Sequence, residues 1–100
     1  MTDAPTPSGE GDKLVREYKI DNKFGIHARP AAMFVKTCSR YDANVSVEKE
    51  GNEVSGKSIM GLMTLEASCG TILRITADGV DAKALMDDLA VLIESKFYED

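Results

Sequence analysis

The chemistry-bearing residues of this chain gather in one run, Gly25-Ile26-His27-Ala28-Arg29-Pro30-Ala31. His27 is the only histidine in the chain. A lone histidine is ordinarily a surface or structural group, but its neighbours here are unusual. Gly25 permits a tight, positive-φ approach. Pro30 suits the first turn of a helix, where a missing N–H costs nothing. His27 therefore falls at the N-cap of a helix that starts at about Ala28. Free amides and the positive end of the helix dipole favour an anion at such a place. Arg29 adds a second positive charge. Both disfavour imidazolium and leave a neutral ring nitrogen, which is a nucleophile. A phosphoryl group landing on that nitrogen would have its charge held by the same amides and by Arg29. Arg29 precedes a proline, and this predicts an irregular first turn. No second acid or base and no metal cluster accompany the histidine. The pattern suits a carrier of phosphate better than a hydrolase.

A second stretch, Ser58-Ile59-Met60-Gly61-Leu62-Met63-Thr64-Leu65, reads as a short helix that is apolar nearly all round. Ser58 suits its N-cap, a role worth about 1 kcal/mol. A small domain cannot bury every side of such a helix. Part of the set Ile59, Met60, Leu62 and Met63 is expected at the surface, where exposed apolar residues mark a partner-binding face. Methionine adapts well to more than one partner.

The elements that must position these groups follow from periodicity. Residues 14–20 alternate, with Leu14, Tyr18 and Ile20 on one face, and predict a strand. Residues 21–25 are a loop. Ala31, Phe34, Val35 and Cys38 form one stripe of a helix over residues 28–40. Residues 43–48 alternate with Val45 and Val47 inward, Glu50-Gly51-Asn52 turns the chain, and residues 53–55 return. Residues 70–77 make another strand. Asp81 is expected to cap a final helix running to about Phe97, with Leu85, Leu89, Leu92 and Ile93 as its stripe. The order is β-α-β-β-α-β-α. It implies an α+β fold, an open-faced two-layer sandwich with a four-stranded antiparallel sheet and three helices on one face.

Bulk properties narrow the function further. One hundred residues, 43% of them hydrophobic, fit a single domain. Residues 1–12 hold Pro5 and Pro7 with Gly, Ser and acidic groups. They predict a disordered extension, with the folded domain over residues 13–100. The net charge is −5 and the pI about 4.8, which argues against nucleic acid as a partner. No apolar run is long enough to span a membrane. The polar N-terminus lacks the features of a secretion signal, so a cytoplasmic protein is expected. Cys38 and Cys69 form no paired motif and read as small apolar residues, without a disulfide. With one histidine, no metal site is expected. No cofactor is implied, and nothing demands more than a monomer.

The run Gly25-Ile-His-Ala-Arg-Pro-Ala31 resembles the active-site signature of HPr, the histidine-containing phosphocarrier of the bacterial phosphotransferase system. Gly56-Lys-Ser-Ile-Met-Gly61 resembles that family's regulatory serine region. The resemblance covers roughly residues 13–98, and the pair of motifs in this element order is highly specific. It implies that His27 accepts a phosphoryl group on Nδ1 from phosphorylated enzyme I, charged by phosphoenolpyruvate, and passes it to a histidine of an enzyme IIA domain. Arg29 would pair with the phosphate, and Ala28 and Arg29 would offer backbone amides. Ser58 would be a site for HPr kinase/phosphorylase. Ala32, Lys36, Lys57, Ile59, Met60 and Met63 would belong to the docking face. The segment Asn22-Lys-Phe-Gly-Ile-His and the ending Phe97-Tyr-Glu-Asp look closer to the nitrogen-type relatives than to the sugar-transport ones. The alternative is a regulatory module that acts by docking the same face on target proteins. An independent enzyme would need a second catalytic group.

Overall fold

The structure, a computed structural model, describes residues 13–99. The extension expected over residues 1–12 lies outside the described residues. Four strands, β1 (Lys13–Lys19), β2 (Asn44–Lys49), β3 (Asn52–Ser55) and β4 (Ile72–Asp78), alternate with three helices, α1 (Ala28–Ser39), α2 (Ile59–Thr64) and α3 (Ala82–Glu94). The strands form one sheet in the order β1-β4-β2-β3. Every neighbouring pair is antiparallel. This is the expected open-faced α+β sandwich.

Register explains why one face is apolar. Tyr18 lies opposite Leu73, Leu14 and Val45 both opposite Ala77, and Val47 opposite Ile75. Because side chains alternate along a strand, these residues share the face that meets the helices. Arg16, opposite Ile75, shares it too. On an edge strand its guanidinium reaches out to Asp87 of α3, 3.4 Å away. The β2–β3 turn has two residues, with Lys49 opposite Asn52. Glu50 and Gly51 take φ values of 51° and 87°, the doubly positive turn whose twist matches a tight hairpin.

The core lies between the sheet and the helices. Phe34 and Cys38 of α1, Val47 of β2, Ile75 of β4 and Leu85, Met86 and Leu89 of α3 are fully buried there. Burial pushes the Cys38 thiol up to about 12.

Three expectations need correction. The last helix stops at Glu94, not near Phe97. Lys96, Phe97 and Tyr98 instead follow with φ of 57°, 55° and 58°. Three left-handed residues without glycine cost roughly 1–2 kcal/mol each. The compensation is visible at Phe97, which the turn drives completely out of water, a gain of about 2–3 kcal/mol. Asp81 stands at the N-cap of α3 but makes no side-chain cap bond. Its carboxylate accepts from the Asp42 amide at 2.7 Å, tying the α1–β2 loop to the β4–α3 loop. The first turn of α1 is helical at Arg29 despite Pro30.

Candidate functional site

The site begins with the loop that ends β1. Gly25 takes φ +67°, and a Cβ there would lie 2.3 Å from the Ala67 carbonyl oxygen. Only glycine lets the loop pass this close. The next amide uses the proximity: Ile26 N–H donates to that same carbonyl at 2.8 Å. The chain leaves this anchor with His27 extended, at φ −100° and ψ −165°, as the N-cap of α1. Ala31 donates to the His27 carbonyl at 2.9 Å and closes the first turn. Pro30 has no N–H, so the amides without an intrahelical acceptor are those of Ala28 and Arg29. Arg29 is exposed. Among the described residues its guanidinium has no ion-pair partner.

The ring of His27 is half-exposed, with 43% of the side chain accessible. No ring nitrogen takes part in capping the helix. Phe24 stands edge-on to it, with centroids 6.3 Å apart and an interplanar angle of 88°. The ammonium of Lys23 lies over the Phe24 ring at 5.4 Å. A neutral imidazole in this setting can act as a nucleophile, and the adjacent amides and guanidinium can hold an anion formed on it.

The expectation that no second acid or base stands beside the histidine is overturned. His27 Nε2 lies 2.9 Å from Glu99 Oε2. The left-handed turn over Lys96–Tyr98 swings Glu99 back across the start of α1. Its other oxygen, Oε1, accepts from Asn22 Nδ2 at 3.0 Å. Asn22 is 1% exposed, and its Nδ2 also donates to the Gly25 carbonyl at 2.7 Å. Sequence reasoning passed over both residues. The ending Phe97-Tyr-Glu-Asp was visible as a feature, but the turn that brings it home lacks any glycine to announce it.

Ser58 behaves as expected of an N-cap, accepting from the Gly61 amide at 3.0 Å. Ile59, Met60 and Met63 are exposed, Met60 at 72%. Leu62 is buried and belongs to the core instead. The end of α2 nearer His27 is its C-terminal end, since Ala67 anchors Ile26. Ser58 lies at the other end. Lys57 does not approach His27 either: its ammonium donates to the Tyr41 carbonyl at 3.2 Å, beyond the far end of α1. Ala32 and Lys36 are exposed on α1. Lys36 borders a groove between α1 and α3 that Arg40, Asp88, Val91 and Tyr98 also line.

The family model described as "PTS HPr component phosphorylation site" matches residues 14–95. Phosphocarrier protein HPr of Xylella fastidiosa is 44% identical over 87 residues, 87% of this chain and 98% of that protein. HPr-like protein Crh of Bacillus subtilis is 42% identical over 81 residues, 81% of this chain and 95% of that protein. The crystal structure of HPr-C-His from Thermoanaerobacter tengcongensis superposes with a TM-score of 0.84 at 44% identity, covering 87% of this chain and 98% of that one. A structure described as an HPr dimer from the same organism gives a TM-score of 0.70 at 46% identity, covering 82% and 94%.

Proposed function

The chain belongs to the HPr family of the phosphotransferase system, matched over residues 14–95, and we propose that it relays phosphoryl groups through His27 in the cytoplasm. The group arrives from phosphorylated enzyme I, which is charged by phosphoenolpyruvate, and leaves for a histidine of an enzyme IIA domain. A ring nitrogen attacks phosphorus as the bond to the donor nitrogen breaks, and the reverse step delivers the group onward. Ala28 and Arg29 amides and the Arg29 guanidinium hold the phosphate oxygens. The observation that carries this reading is the half-exposed imidazole at the N-cap of α1, beside two amides and a guanidinium that are without partners among the described residues. The chain is a carrier, so each turnover needs an enzyme on either side of it.

Incubation with phosphoenolpyruvate, magnesium and enzyme I, followed by intact mass, tests the reading. One added phosphoryl group, acid-labile, alkali-stable and absent in His27→Ala, is the expected result. No added mass, with enzyme I itself phosphorylated, would remove the relay.

A regulatory role on the same face has its own support in Ser58, which heads a helix with Ile59, Met60 and Met63 exposed. Phosphate on Ser58, placed there by an HPr kinase/phosphorylase, adds about two negative charges to an interface that depends on apolar burial. Docking to enzyme I, through Ala32, Lys36 and this patch, then weakens. Aspartate caps a helix as well as serine does, so Ser58→Asp keeps the fold and mimics the charge. Transfer to that variant at the wild-type rate would contradict the mechanism. The residues around Phe24 and Phe97 resemble those of the nitrogen-type branch, in which such regulation would stand in place of sugar transport.

A further inference from the structure

Glu99 lies on a segment with no evident share in the relay, yet both of its carboxylate oxygens are engaged at the site. The side chain is 16% exposed, well shielded for a carboxylate so near a chain end. Its setting is held from two sides. Phe97, two residues earlier, is fully buried and pins the left-handed turn. Asn22, itself buried, bridges Glu99 Oε1 and the Gly25 carbonyl with one nitrogen. That bridge also fixes which way the amide points: its partners are both acceptors, so Nδ2 must face them. The outer oxygen of Glu99, Oε2, is thereby left to meet His27 Nε2 at 2.9 Å.

A carboxylate only accepts, so Nε2 must carry the proton and donate it. Among the described residues Nδ1 has no hydrogen-bond partner. A neutral ring with its proton on Nε2 has its lone pair on Nδ1. We propose that Glu99 is a positioning residue of the phosphoryl relay: its carboxylate holds the ring proton on Nε2, presents Nδ1 as the nucleophile, and faces the positive charge that the ring acquires on transfer. The proposal rests on the phosphocarrier reading above and adds to it the residue that selects the reacting nitrogen.

The step balances without moving a proton. The Nδ1 lone pair forms the bond to phosphorus as the donor's nitrogen–phosphorus bond breaks and keeps its electron pair. The ring then carries a positive charge, with Nε2–H still against Glu99. On delivery the Nδ1–phosphorus bond breaks, its electron pair returns to the ring, and the same neutral tautomer is restored. The N-terminus of α1 and Arg29 hold the phosphate, while Glu99 opposes their positive potential only on the far nitrogen.

The test is Glu99→Gln, which preserves shape and removes the second acceptor. Asn22 Nδ2 is locked by the Gly25 carbonyl and still needs an acceptor, so the glutamine carbonyl turns to it. The glutamine NH2 group then faces Nε2 and demands a lone pair there, which drives the ring proton to Nδ1. The wild-type ring, observed by 15N NMR at a pH where it is neutral, is expected mainly as the Nε2–H tautomer, and Glu99→Gln mainly as Nδ1–H. With enzyme I, kcat is expected to fall about tenfold, the scale of one net hydrogen bond, while KM stays near its wild-type value. Glu99→Ala supplies neither acceptor nor donor and is expected to give a mixture of tautomers. Its unchanged amide spectrum elsewhere would exclude misfolding. A wild-type ring with its proton on Nδ1 would overturn the proposal. So would a tautomer ratio or a kcat that Glu99→Gln leaves unchanged. If the tautomer inverts but enzyme I does not phosphorylate even the wild-type chain, the relay itself falls, and Glu99's hold on the proton stands.

Discussion

At the scale of single residues, the reactivity proposed for His27 rests on what its neighbours lack. Ala28 and Arg29 have amides without acceptors, Pro30 has no amide to compete, and Arg29 has no acidic partner among the described residues. Gly25 makes this exposure affordable by fastening the preceding loop to the Ala67 carbonyl. Gly25→Ala must place a methyl group 2.3 Å from that oxygen and 2.7 Å from Ser68 Cα, at a positive φ. A loss of about 3 kcal/mol is expected, read by urea denaturation with the slope unchanged. The cysteines differ as sharply. Cys38 is buried and its thiol is pushed up to about 12, whereas Cys69 is exposed. A thiol reagent at pH 8 is expected to label one site quickly. Cys69→Ser should abolish that fast phase and leave Cys38 to react only as the protein unfolds.

At the scale of elements, short segments do the positioning. α2 has six residues, too few to be stable alone. It depends on its Ser58 cap and on Leu62, its buried anchor. Ser58→Ala is expected to cost about 1 kcal/mol, and Ser58→Asp close to nothing, as thermal melts of the two variants would register. The turn after α3 is the other such segment. Phe97→Ala removes the burial that offsets three left-handed residues. A loss of about 3–4 kcal/mol is expected, and hydrogen exchange should show the segment from Lys96 onward opening. Periodicity revealed β1, α1, β2, β4 and α3, because each has one wetter and one drier face, whereas β3 followed from the turn before it and α2 from its capping serine and apolar run. Periodicity extended α3 too far, because Phe97 is apolar and continues the stripe in sequence while the backbone has already reversed its hand.

At the scale of the whole molecule, charged contacts lash α3 to the rest of the fold. Asp88 accepts from the Tyr41 hydroxyl at 2.8 Å and from Arg40 Nη2 at 2.7 Å, joining the end of α1 to α3. The Tyr41 hydrogen bond first, and Arg40 with it, hold the Asp88 carboxyl below the usual carboxylate range. A carboxyl whose folded value is depressed stabilises the fold above its unfolded value of about 3.9. That contribution is lost as pH falls through the lower folded value. The melting temperature of Asp88→Asn is therefore expected to lie below wild type at neutral pH and to converge with it as pH falls through the depressed folded value. The pair is partly exposed, so the gap is modest and narrows with salt. A relative of known structure is described as a dimer. No described helix of this chain is long and apolar enough to cross a membrane.

The sequence by itself determined the sheet-and-helix order, the inward faces and the place of His27, Arg29 and Ser58. These features are local: a two-residue or 3.6-residue period, a capping residue, a glycine or proline at a turn. The tertiary structure decided which groups from distant segments meet. Glu99 reaches His27 across 72 positions of chain, through a left-handed turn whose cost the burial of Phe97 helps to offset. Asn22 holds Glu99 because the loop after β1 and the turn after α3 close on the same end of α1. The sequence leaves open which of Ile59, Met60, Leu62 and Met63 is buried, and the fold sends Leu62 into the core and leaves the other three exposed. No periodicity encodes such encounters, since they depend on how the helices pack on the sheet and on which strained backbone the packing can support.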